Sequence, residues 1–343
     1  MIQSVSINTY QISNYTEFTI TNHDLSLENF PLLSIDTDSY ISRAEIQSGI
    51  DFDIKGNRHC LMIGKMCSLA DSIKFLIDLN HDYKTISQGA PSFLKNAKWN
   101  YNINRKGSIL LQNDVWIGHG VTIMGGVTLH NGCVVGANSI VTKDIPPYAI
   151  VAGNPAKVLH YRFDRHTICG LQKIAWWNWP KEIQIERRED FFLNPQIFVN
   201  KYIEEAENKM NKLTYIDNIF SQRIKILLIP DINHKYPLYP KILKQFLEKD
   251  HLDTELIIYL SENDSTLDNI DSITNIINRY EETDNYITLQ TGTTLDEHIL
   301  FQYADYYITT RDSETINRTC LADLYNVKVL YGTDEPMFSS LLF

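Results

Sequence analysis

The sequence predicts a parallel β-helix in its N-terminal half, followed by a smaller α/β domain. Three observations support this fold class. Aliphatic residues recur every six positions within 109–144, residues 78–107 interrupt that period, and apolar runs alternate with amphipathic segments after residue 223. The 343 residues, 43% of them hydrophobic and 21% charged, are sufficient for two folded domains.

The six-residue repeat is clearest in five consecutive blocks. From residue 115 the chain reads VWIGHG, VTIMGG, VTLHNG, CVVGAN and SIVTKD. The third position is always aliphatic, which is typical of short strands that form the walls of a prism and point one side chain inward. A β-sandwich with chance periodicity is the alternative, and five blocks in phase argue against it. The third positions are Ile117, Ile123, Leu129, Val135 and Val141.

The repeat also fixes the predicted domain bounds. The same period occurs at Ile63, Leu69 and Phe75, and weakly at Ile35 and Ile41, so we expect the coils to begin before residue 60. Residues 78–107 are rich in polar residues, Gly and Pro, and predict a loop ejected from the prism. We predict an N-terminal extension at 1–34, a β-helix domain with a C-terminal helix at 35–190, a helical linker at 191–222 and an α/β domain at 223–343.

The last third of the chain differs in pattern and in charge. The runs IKILLI, ELIIYL, YITLQ, DYYITT and VKVLY predict five buried strands, and segments with helical spacing separate them. Strands that alternate with helices form parallel sheets, so a Rossmann-like domain is expected. Residues 215–343 carry 10 basic and 21 acidic residues, which accounts for the whole net charge of −11. A separate domain with its own surface chemistry is indicated.

Composition excludes several functional classes. The acidic chain has no global attraction to nucleic acid, and no run of about 18 apolar residues predicts a membrane span. The N-terminus lacks the basic start and apolar run of a signal peptide, so we expect a cytoplasmic protein. The five cysteines are odd in number and form no CxxC pair, which indicates free thiols and no metal site. They are Cys60, Cys67, Cys133, Cys169 and Cys320.

Four segments resemble the left-handed β-helix acyltransferases, in particular the xenobiotic group that contains chloramphenicol and streptogramin acetyltransferases. They are Asn80-His81, NDVWIGHGVTI at 113–123, VVGANSIVTKDIPPYAIVAGNPAKVLHYRF at 134–163 and AWWNWP at 175–180. The resemblance covers residues 35–190 and implies a left-handed helix, assembly as a homotrimer and acetyl-CoA as cosubstrate. The chain departs from the pattern at Gly125, where Pro is usual, and at Asn138, where Gly is usual.

Acetyl transfer needs a base for the acceptor's proton, and neutral imidazole has a suitable pKa near pH 7. His81 is the candidate, because the resemblance implies that the ejected loop brings this histidine to the coenzyme cleft at a subunit interface. For the competitors His59, His119 and His130, we favour the interpretation that they are solvated surface residues. Cys67 or Cys133 would be needed for an acetyl-enzyme, and direct attack by the acceptor is preferred.

The resemblance also implies the coenzyme contacts. Small residues at Gly118, Gly136 and Ala137 leave room for the thin pantetheine arm, and Trp116 is placed near its end or near the acceptor. Lys143, Lys157 and Arg162 are placed to hold phosphates, although ordinary surface solvation is the alternative for the lysines. Trp176, Trp177 and Trp179 are interpreted as residues that attach a helix to the end of the prism.

The C-terminal domain lies outside the part of the chain that resembles the acetyltransferases, and it indicates the class of acceptor. Residues 304–336 are similar, at the level of fold, to the nucleotide-sugar half of two-lobed glycosyltransferases, but no GxGxxG is present. We therefore expect an O-acetyltransferase that acts on a saccharide acceptor, such as a capsular, lipopolysaccharide or other glycan chain. The alternatives are acetylation of an antibiotic, N-acetylation of an amino sugar, and a non-catalytic trimeric scaffold that binds carbohydrate.

Overall fold

The computed structural model divides the chain into two compact units, Met1–His160 and Tyr161–Phe343. It describes residues 3–7, 16–20, 30–48, 60–80, 106–211, 223–249, 251, 253–280, 285–292, 297–333 and 337–340. Each unit has its own hydrophobic core.

The first unit is a three-walled prism of short parallel strands. One wall contains β1, β5, β8, β11 and β14, a second contains β4, β7, β10, β13, β15 and β16, and a third contains β2, β3, β6, β9 and β12. The strands are β1 Gln3–Ile7, β2 Thr16–Ile20, β3 Phe30–Ile35, β4 Tyr40–Ile41, β5 Ala44–Ser48, β6 Leu61–Ile63, β7 Ser68–Leu69, β8 Ile73–Ile77, β9 Ile109–Leu111, β10 Trp116–Ile117, β11 Thr122–Met124, β12 Thr128–Leu129, β13 Val134–Val135, β14 Ile140–Val141, β15 Ala149–Ala152 and β16 Lys157–Tyr161.

The walls confirm the predicted six-residue repeat. Ile117 on β10 lies between Leu69 of the preceding coil and Val135 of the following one, and all pairings from β3 to β15 that join successive coils are parallel. The five third-position residues are at most 1% exposed, because each points into the narrow interior. The first-position residues fill the same interior and are also buried. These are Val115, Val121, Val127, Cys133 and Ser139.

The prism begins earlier than the clearest part of the repeat. Ile35 and Ile41 are fully buried, which confirms that coils precede residue 60. Strand β3 lies across the predicted bound at residue 34, because Leu33 belongs to the core and pairs with Leu61. Strands β1 and β2 pair antiparallel with β5 and β3, so they extend two of the walls.

The predicted ejected loop is described only at its two ends. The Asp78 carboxylate accepts the backbone N–H of Lys106 at 3.1 Å, which joins the chain on either side of residues 81–105. Gly126 donates its N–H to the carbonyls of Gly107 and Ser108 at 2.9 and 3.1 Å. Gly126 has a φ of +74°, and a Cβ there would lie 1.8 Å from the Lys106 carbonyl oxygen, so only glycine fits this position.

Helices open the second unit. They are α1 Arg165–Ile174, α2 Lys181–Glu186 and α3 Pro195–Asn211, with 3₁₀ turns at Trp176–Asn178 and Arg188–Phe192. Asp164 caps α1 by accepting the Thr167 N–H at 3.0 Å, and Ala175 ends the helix with a left-handed φ of 45°. Helix α3 confirms the helix that the sequence predicts from Pro195 to Lys212 to within one residue.

The division between the units falls at residue 160, earlier than the predicted bound at 190. Helix α1 packs closely against α3, since a Cβ on Gly170 would lie 2.4 Å from Val199 Cγ1. Trp177 is 2% exposed, and Trp179 stacks on Phe198 of α3 with ring centroids 5.8 Å apart. These aromatic contacts join the tryptophan segment to the second unit.

All five predicted strands form one parallel sheet, which confirms the α/β interpretation. Their order is β19-β18-β17-β20-β21. The strands are β17 Ile224–Leu228, β18 Thr254–Ser261, β19 Tyr286–Gly292, β20 Tyr306–Thr309 and β21 Lys328–Tyr331. The helices between them are α4 Tyr239–Leu247, α5 Leu267–Ile277, α6 Glu297–Tyr303 and α7 Thr315–Tyr325, and a 3₁₀ turn at Met337–Ser340 follows.

No helix among the described residues is both long enough and apolar enough to cross a bilayer.

The prism core predicts a large difference between two leucines. Leu129 is fully buried, whereas Leu159 on β16 is 62% exposed. We expect Leu129→Ala to lower the free energy of unfolding by about 2–5 kcal/mol, because the narrow interior cannot close around the lost side chain. We expect Leu159→Ala to change it by less than about 0.5 kcal/mol. Urea denaturation at one protein concentration measures both, and equal effects would contradict the inward packing.

Candidate active site

A column of small residues runs along the wall that contains β10. Each member follows the inward aliphatic residue of its strand, and the backbone N–H groups of three members bond to the next coil: Ala70 to Ile117 at 3.0 Å, Gly118 to Val135 at 2.8 Å and Gly136 to Val151 at 2.8 Å. All four are partly exposed. The column therefore forms a strip on the outside of the prism from which no large side chain projects. It consists of Ala70, Gly118, Gly136 and Ala152.

Two glycines in this column are required by the spacing of the coils. A Cβ on Gly118 would lie 2.7 Å from the backbone nitrogen of Ala137, and one on Gly136 would lie 3.0 Å from Ala152 Cβ. Any larger side chain at Gly118 would push against backbone, which cannot move without shifting a coil. The predicted coenzyme residues Gly118 and Gly136 thus lie on one wall in neighbouring coils.

Trp116 stands beside this strip. It lies on β10 between Ser68 and Val134 of the adjacent strands, two residues before Gly118, and its side chain is 57% exposed. Successive residues of a strand face opposite sides, so Trp116 points outward because Ile117 points into the core. An indole beside a low, glycine-lined strip offers a flat apolar surface to a ligand.

The next corner carries Ala137 and His119, both exposed. Asn138 donates its N–H to the His119 carbonyl at 2.8 Å and has a φ of 58°. Asparagine tolerates this left-handed conformation better than most residues, which explains how Asn138 fits this corner.

The three predicted phosphate-binding residues lie on different elements or connecting segments of the structure. Lys157 lies on β16 and belongs to the wall that carries Trp116, whereas Lys143 follows β14 on another wall. Both lysines are exposed. Arg162 belongs to the second unit, where its guanidinium lies 5.1 Å from the centre of the Phe163 ring.

The predicted general base, His81, lies outside the described residues, as does its competitor His59. Asn80, which precedes His81, is half-buried. His130 is half-buried at a corner, and His119 lies near Asp71. The hydroxyl of Ser72 and the guanidinium of Arg43 hold the pKa of the Asp71 carboxyl below its usual range, and His119 adds a smaller contribution.

Neither buried thiol is available as a nucleophile. Cys67 and Cys133 are fully buried, and the Cys67 thiol donates to the Gln112 carbonyl at 3.1 Å. Burial raises the pKa of Cys67 from 9.0 to about 12. A thiol in this state carries almost no thiolate at neutral pH and is therefore a poor nucleophile.

Sequence reasoning missed a ladder of buried amides at the corners of the prism. The Asn131 side chain accepts the backbone N–H of Asn113 at 3.0 Å, and the Gln112 side chain accepts the N–H of Asn131 at 3.0 Å. Asn113 in turn accepts the N–H of Lys65 at 2.9 Å. These bonds satisfy corner N–H groups that would otherwise be buried without partners. The sequence signal that could have identified this ladder is the presence of polar residues at the corners of the repeat.

At the edge of the second sheet where its strands have their C-terminal ends, the side-chain carboxylate of Asp231 occupies the position at which a ligand anion would bind. The strand order reverses between β17 and β20, which is where open parallel sheets usually bind ligands. Asp231, 2% exposed, lies there and accepts the N–H groups of Leu238 at 2.9 Å, Tyr239 at 3.2 Å and Arg311 at 3.0 Å. An anion therefore already occupies the start of α4.

Among the described residues, no group of three or more histidine, cysteine, aspartate or glutamate side chains is arranged to hold a metal ion.

Comparisons with known proteins identify the repeat. The family model described as bacterial transferase hexapeptide (six repeats) matches residues 108–143. A probable macrolide acetyltransferase of Lysinibacillus sphaericus is 37% identical over 160 residues, which are 44% of this chain and 84% of that protein. A chloramphenicol acetyltransferase of Escherichia coli is 38% identical over 144 residues, 40% of this chain and 68% of that protein.

Among solved structures, a polysialic acid O-acetyltransferase is 29% identical, with a TM-score of 0.28. The match covers 39% of this chain and 56% of that one.

The buried thiols give a chemical prediction. Because a pKa of about 12 lowers the thiolate fraction about 1,000-fold relative to the ordinary value of 9.0, Cys67 should resist alkylation in the native protein at pH 8. Exposed Cys169 should react readily. Iodoacetamide labelling followed by peptide mass spectrometry measures both. Rapid labelling of Cys67, or an acetyl group on it after incubation with acetyl-CoA, would restore the covalent mechanism.

Proposed function

Because this chain belongs to the hexapeptide-repeat acetyltransferases, we propose that it transfers the acetyl group of acetyl-CoA to a hydroxyl group of a saccharide. The glycine-lined strip beside Trp116, on a wall of the repeat that the relatives share, is the observation that carries this proposal. The prism is taken to be left-handed, as the family implies.

The strip suits the long, thin pantetheine arm of the coenzyme. Gly118 and Gly136 keep the wall low, and Ala137 lies exposed at the next corner. Trp116 offers an apolar face beside them. We assign Lys143, Lys157 and Arg162 to the coenzyme phosphates, since their positive charges suit those groups.

The proposed chemistry is a single displacement through a tetrahedral intermediate. His81 accepts the proton of the acceptor hydroxyl as its oxygen attacks the thioester carbonyl carbon, and the C–S bond then breaks. The proton passes from the imidazolium to the departing coenzyme thiolate, so His81 ends neutral. No protein thiol takes part, which agrees with the burial of Cys67 and Cys133.

We propose that the active form is a homotrimer, in which the loop that contains His81 meets the strip of a neighbouring copy. Val158, 44% exposed on the edge strand β16, is apolar surface of the kind that association buries. The cytoplasmic location remains a prediction from the sequence.

The acceptor class is inferred from the second unit. The support for this proposal is the parallel sheet of the second unit, together with the similarity of residues 304–336 to part of a glycosyltransferase, since a domain of that kind suits an enzyme that modifies a glycan. Asp231 occupies the usual position of a phosphate, so the unit is assigned to acceptor binding and not to sugar transfer. Antibiotic acetylation is the second candidate, favoured by the names of the macrolide and chloramphenicol relatives.

The assignment of His81 as the general base leads to a prediction about turnover. We expect His81→Ala to lower turnover about 100- to 10,000-fold, because the acceptor loses its proton acceptor. Release of coenzyme thiol is measured with oligosaccharides, nucleotide sugars, chloramphenicol and a streptogramin. The matched control is His130→Ala, which should keep normal turnover.

Light scattering should give the same trimeric mass for both variants and the wild type. His81-dependent release with a saccharide supports the proposal, and release with drugs alone supports the second candidate. Normal turnover of His81→Ala would remove this histidine from the mechanism.

The phosphate assignment predicts a change in KM alone. Replacing Lys157 by Gln should raise the KM for acetyl-CoA about tenfold with little change in kcat, because one charge-assisted hydrogen bond is lost before and during the reaction. Lys143→Gln and Arg162→Gln should behave alike. Lys74→Gln, an exposed lysine on β8, is the control. An unchanged KM for all three would show that these cations are simply solvated.

A further inference from the structure

The second unit contains a cavity that the acetyl-transfer mechanism does not use. It has a volume of about 200 Å³ and lies between the end of α1, the Trp176–Asn178 turn, α3, α6 and α7. Its wall combines aromatic rings, side-chain amides, one imidazole and small apolar groups. The lining residues that matter to the argument are Lys173, Trp177, Tyr202, Glu205, His298 and Asn317.

The aromatic part of the wall is held rigidly. Trp179 stacks on Phe198 at 5.8 Å and meets Tyr202 edge to face at 5.0 Å. The Arg187 guanidinium lies 4.6 Å from the centres of both the Trp179 and the Tyr202 rings. Because these rings are fixed by one another and by a cation, this side of the cavity is formed before any ligand arrives.

The charged side chains of the wall are neutralised. Lys173 and Glu205 are the charged residues that line the cavity within the described part of the chain. Lys173 pairs with Glu207 at 2.8 Å, and Glu205 pairs with Arg187 at 2.9 Å. The wall therefore presents no net charge to a ligand, which disfavours phosphates and carboxylates and favours a neutral polar molecule.

Two residues that line the cavity each carry a buried polar atom without a hydrogen-bond partner within the described structure. These atoms are the indole nitrogen of Trp177 and the Oδ1 atom of Asn317. Asn317 uses its amide nitrogen to donate to Glu314 at 2.7 Å, so its oxygen is the free half of the group. A buried acceptor without a partner costs free energy, which a hydrogen bond from a ligand hydroxyl would recover.

We propose that this cavity binds one neutral sugar residue of the glycan whose acetylation is proposed above. Amides and an imidazole are the usual partners of sugar hydroxyls, and rigid aromatic rings pack against the apolar face of a pyranose. The volume lies below the range of about 300–1,000 Å³ typical of drug-sized ligands, so it suits a single ring. The identification of this sugar with the acceptor rests on the proposed function, whereas the binding of a neutral sugar rests on the wall itself.

The cavity is better suited to this ligand than the carboxyl edge of the sheet. At that edge Asp231 already accepts the N–H groups of Leu238, Tyr239 and Arg311. A ligand phosphate would have to displace a carboxylate that is 2% exposed. The sugar site is therefore placed among the helices, away from that edge.

Cys320 provides a direct test, because it lines the cavity and is partly exposed, while Cys169 is exposed and does not line it. The full-length protein is treated with N-ethylmaleimide, and the modification rates of both cysteines are followed by peptide mass spectrometry. The probes are glucose, galactose, N-acetylglucosamine and N-acetylgalactosamine, with inorganic phosphate as the charged comparator. At a sugar concentration about four times the dissociation constant, modification of Cys320 should slow about fivefold and that of Cys169 should not change.

Two variants of α3 show whether the cavity is responsible. Ala206→Phe places a ring in the cavity and should abolish protection by sugar. Glu204→Phe introduces the same ring at an exposed position of the same helix outside the lining and should keep it. Melting curves establish that both variants are folded. If Ala206→Phe does not fold, Asn317→Leu replaces it, which removes Oδ1 at nearly constant volume and should weaken protection.

The outcomes separate this inference from the proposed function. Failure of every sugar to protect Cys320, protection by phosphate alone, or protection that survives Ala206→Phe would overturn the sugar site. The assay uses neither acetyl-CoA nor His81, so His81→Ala should show normal protection. Sugar protection without acetylation of any saccharide would leave the site standing and remove the proposed acceptor. Acetylation of a saccharide without protection of Cys320 by any sugar would support the proposed function and overturn the sugar site.

Discussion

The first unit depends on one constraint, which is that a three-walled prism of single strands has a very narrow interior. In each coil, every wall points its third-position side chain into this interior, so Ile117, Ile123 and Leu129 must recur at a spacing of six and must be aliphatic. The hydrogen bonds between coils then fix the register, and the register fixes what lies outside. Trp116 is exposed because Ile117 is buried, and Gly118 is small because Ala137 of the next coil lies against it. The candidate active site is thus the outer face of the same repeat that builds the core.

Much of this architecture could be predicted from the sequence, because it arises from short-range periodicity. The inward positions, the coils before residue 60, helix α3 and all five strands of the second sheet follow from patterns within a few residues of one another. The predicted site residues Trp116, Gly118 and Gly136 lie on one wall for the same reason, since equal positions in successive coils must stack. The six-residue period is visible within a short stretch of sequence, and it determines which residues lie side by side in the folded prism.

What the sequence did not predict depends on contacts between distant segments. The division of the units at residue 160 follows from the packing of α1 on α3, in which Gly170 meets Val199, and no local pattern indicates which partner a helix will choose. The cavity of the second unit unites Trp177 with Asn317, far apart in the chain. The amide ladder of Gln112, Asn113 and Asn131 was hidden for a different reason, because polar corner residues resemble solvated ones until their burial is known. The role of His81 came from resemblance, because a histidine in a polar segment carries no local signal of catalysis.

The closed edge of the second sheet has a consequence for how this unit depends on small molecules. Sheets of this strand order commonly depend on a nucleotide to satisfy the N–H groups that converge where the order reverses. Here Asp231, a part of the covalent chain, performs that task, and the Arg311 N–H is one of its donors. A domain that supplies its own anion can be fused to another enzyme without making that enzyme responsive to the cell's nucleotide levels. The carboxyl edge of this sheet is therefore complete without a bound phosphate.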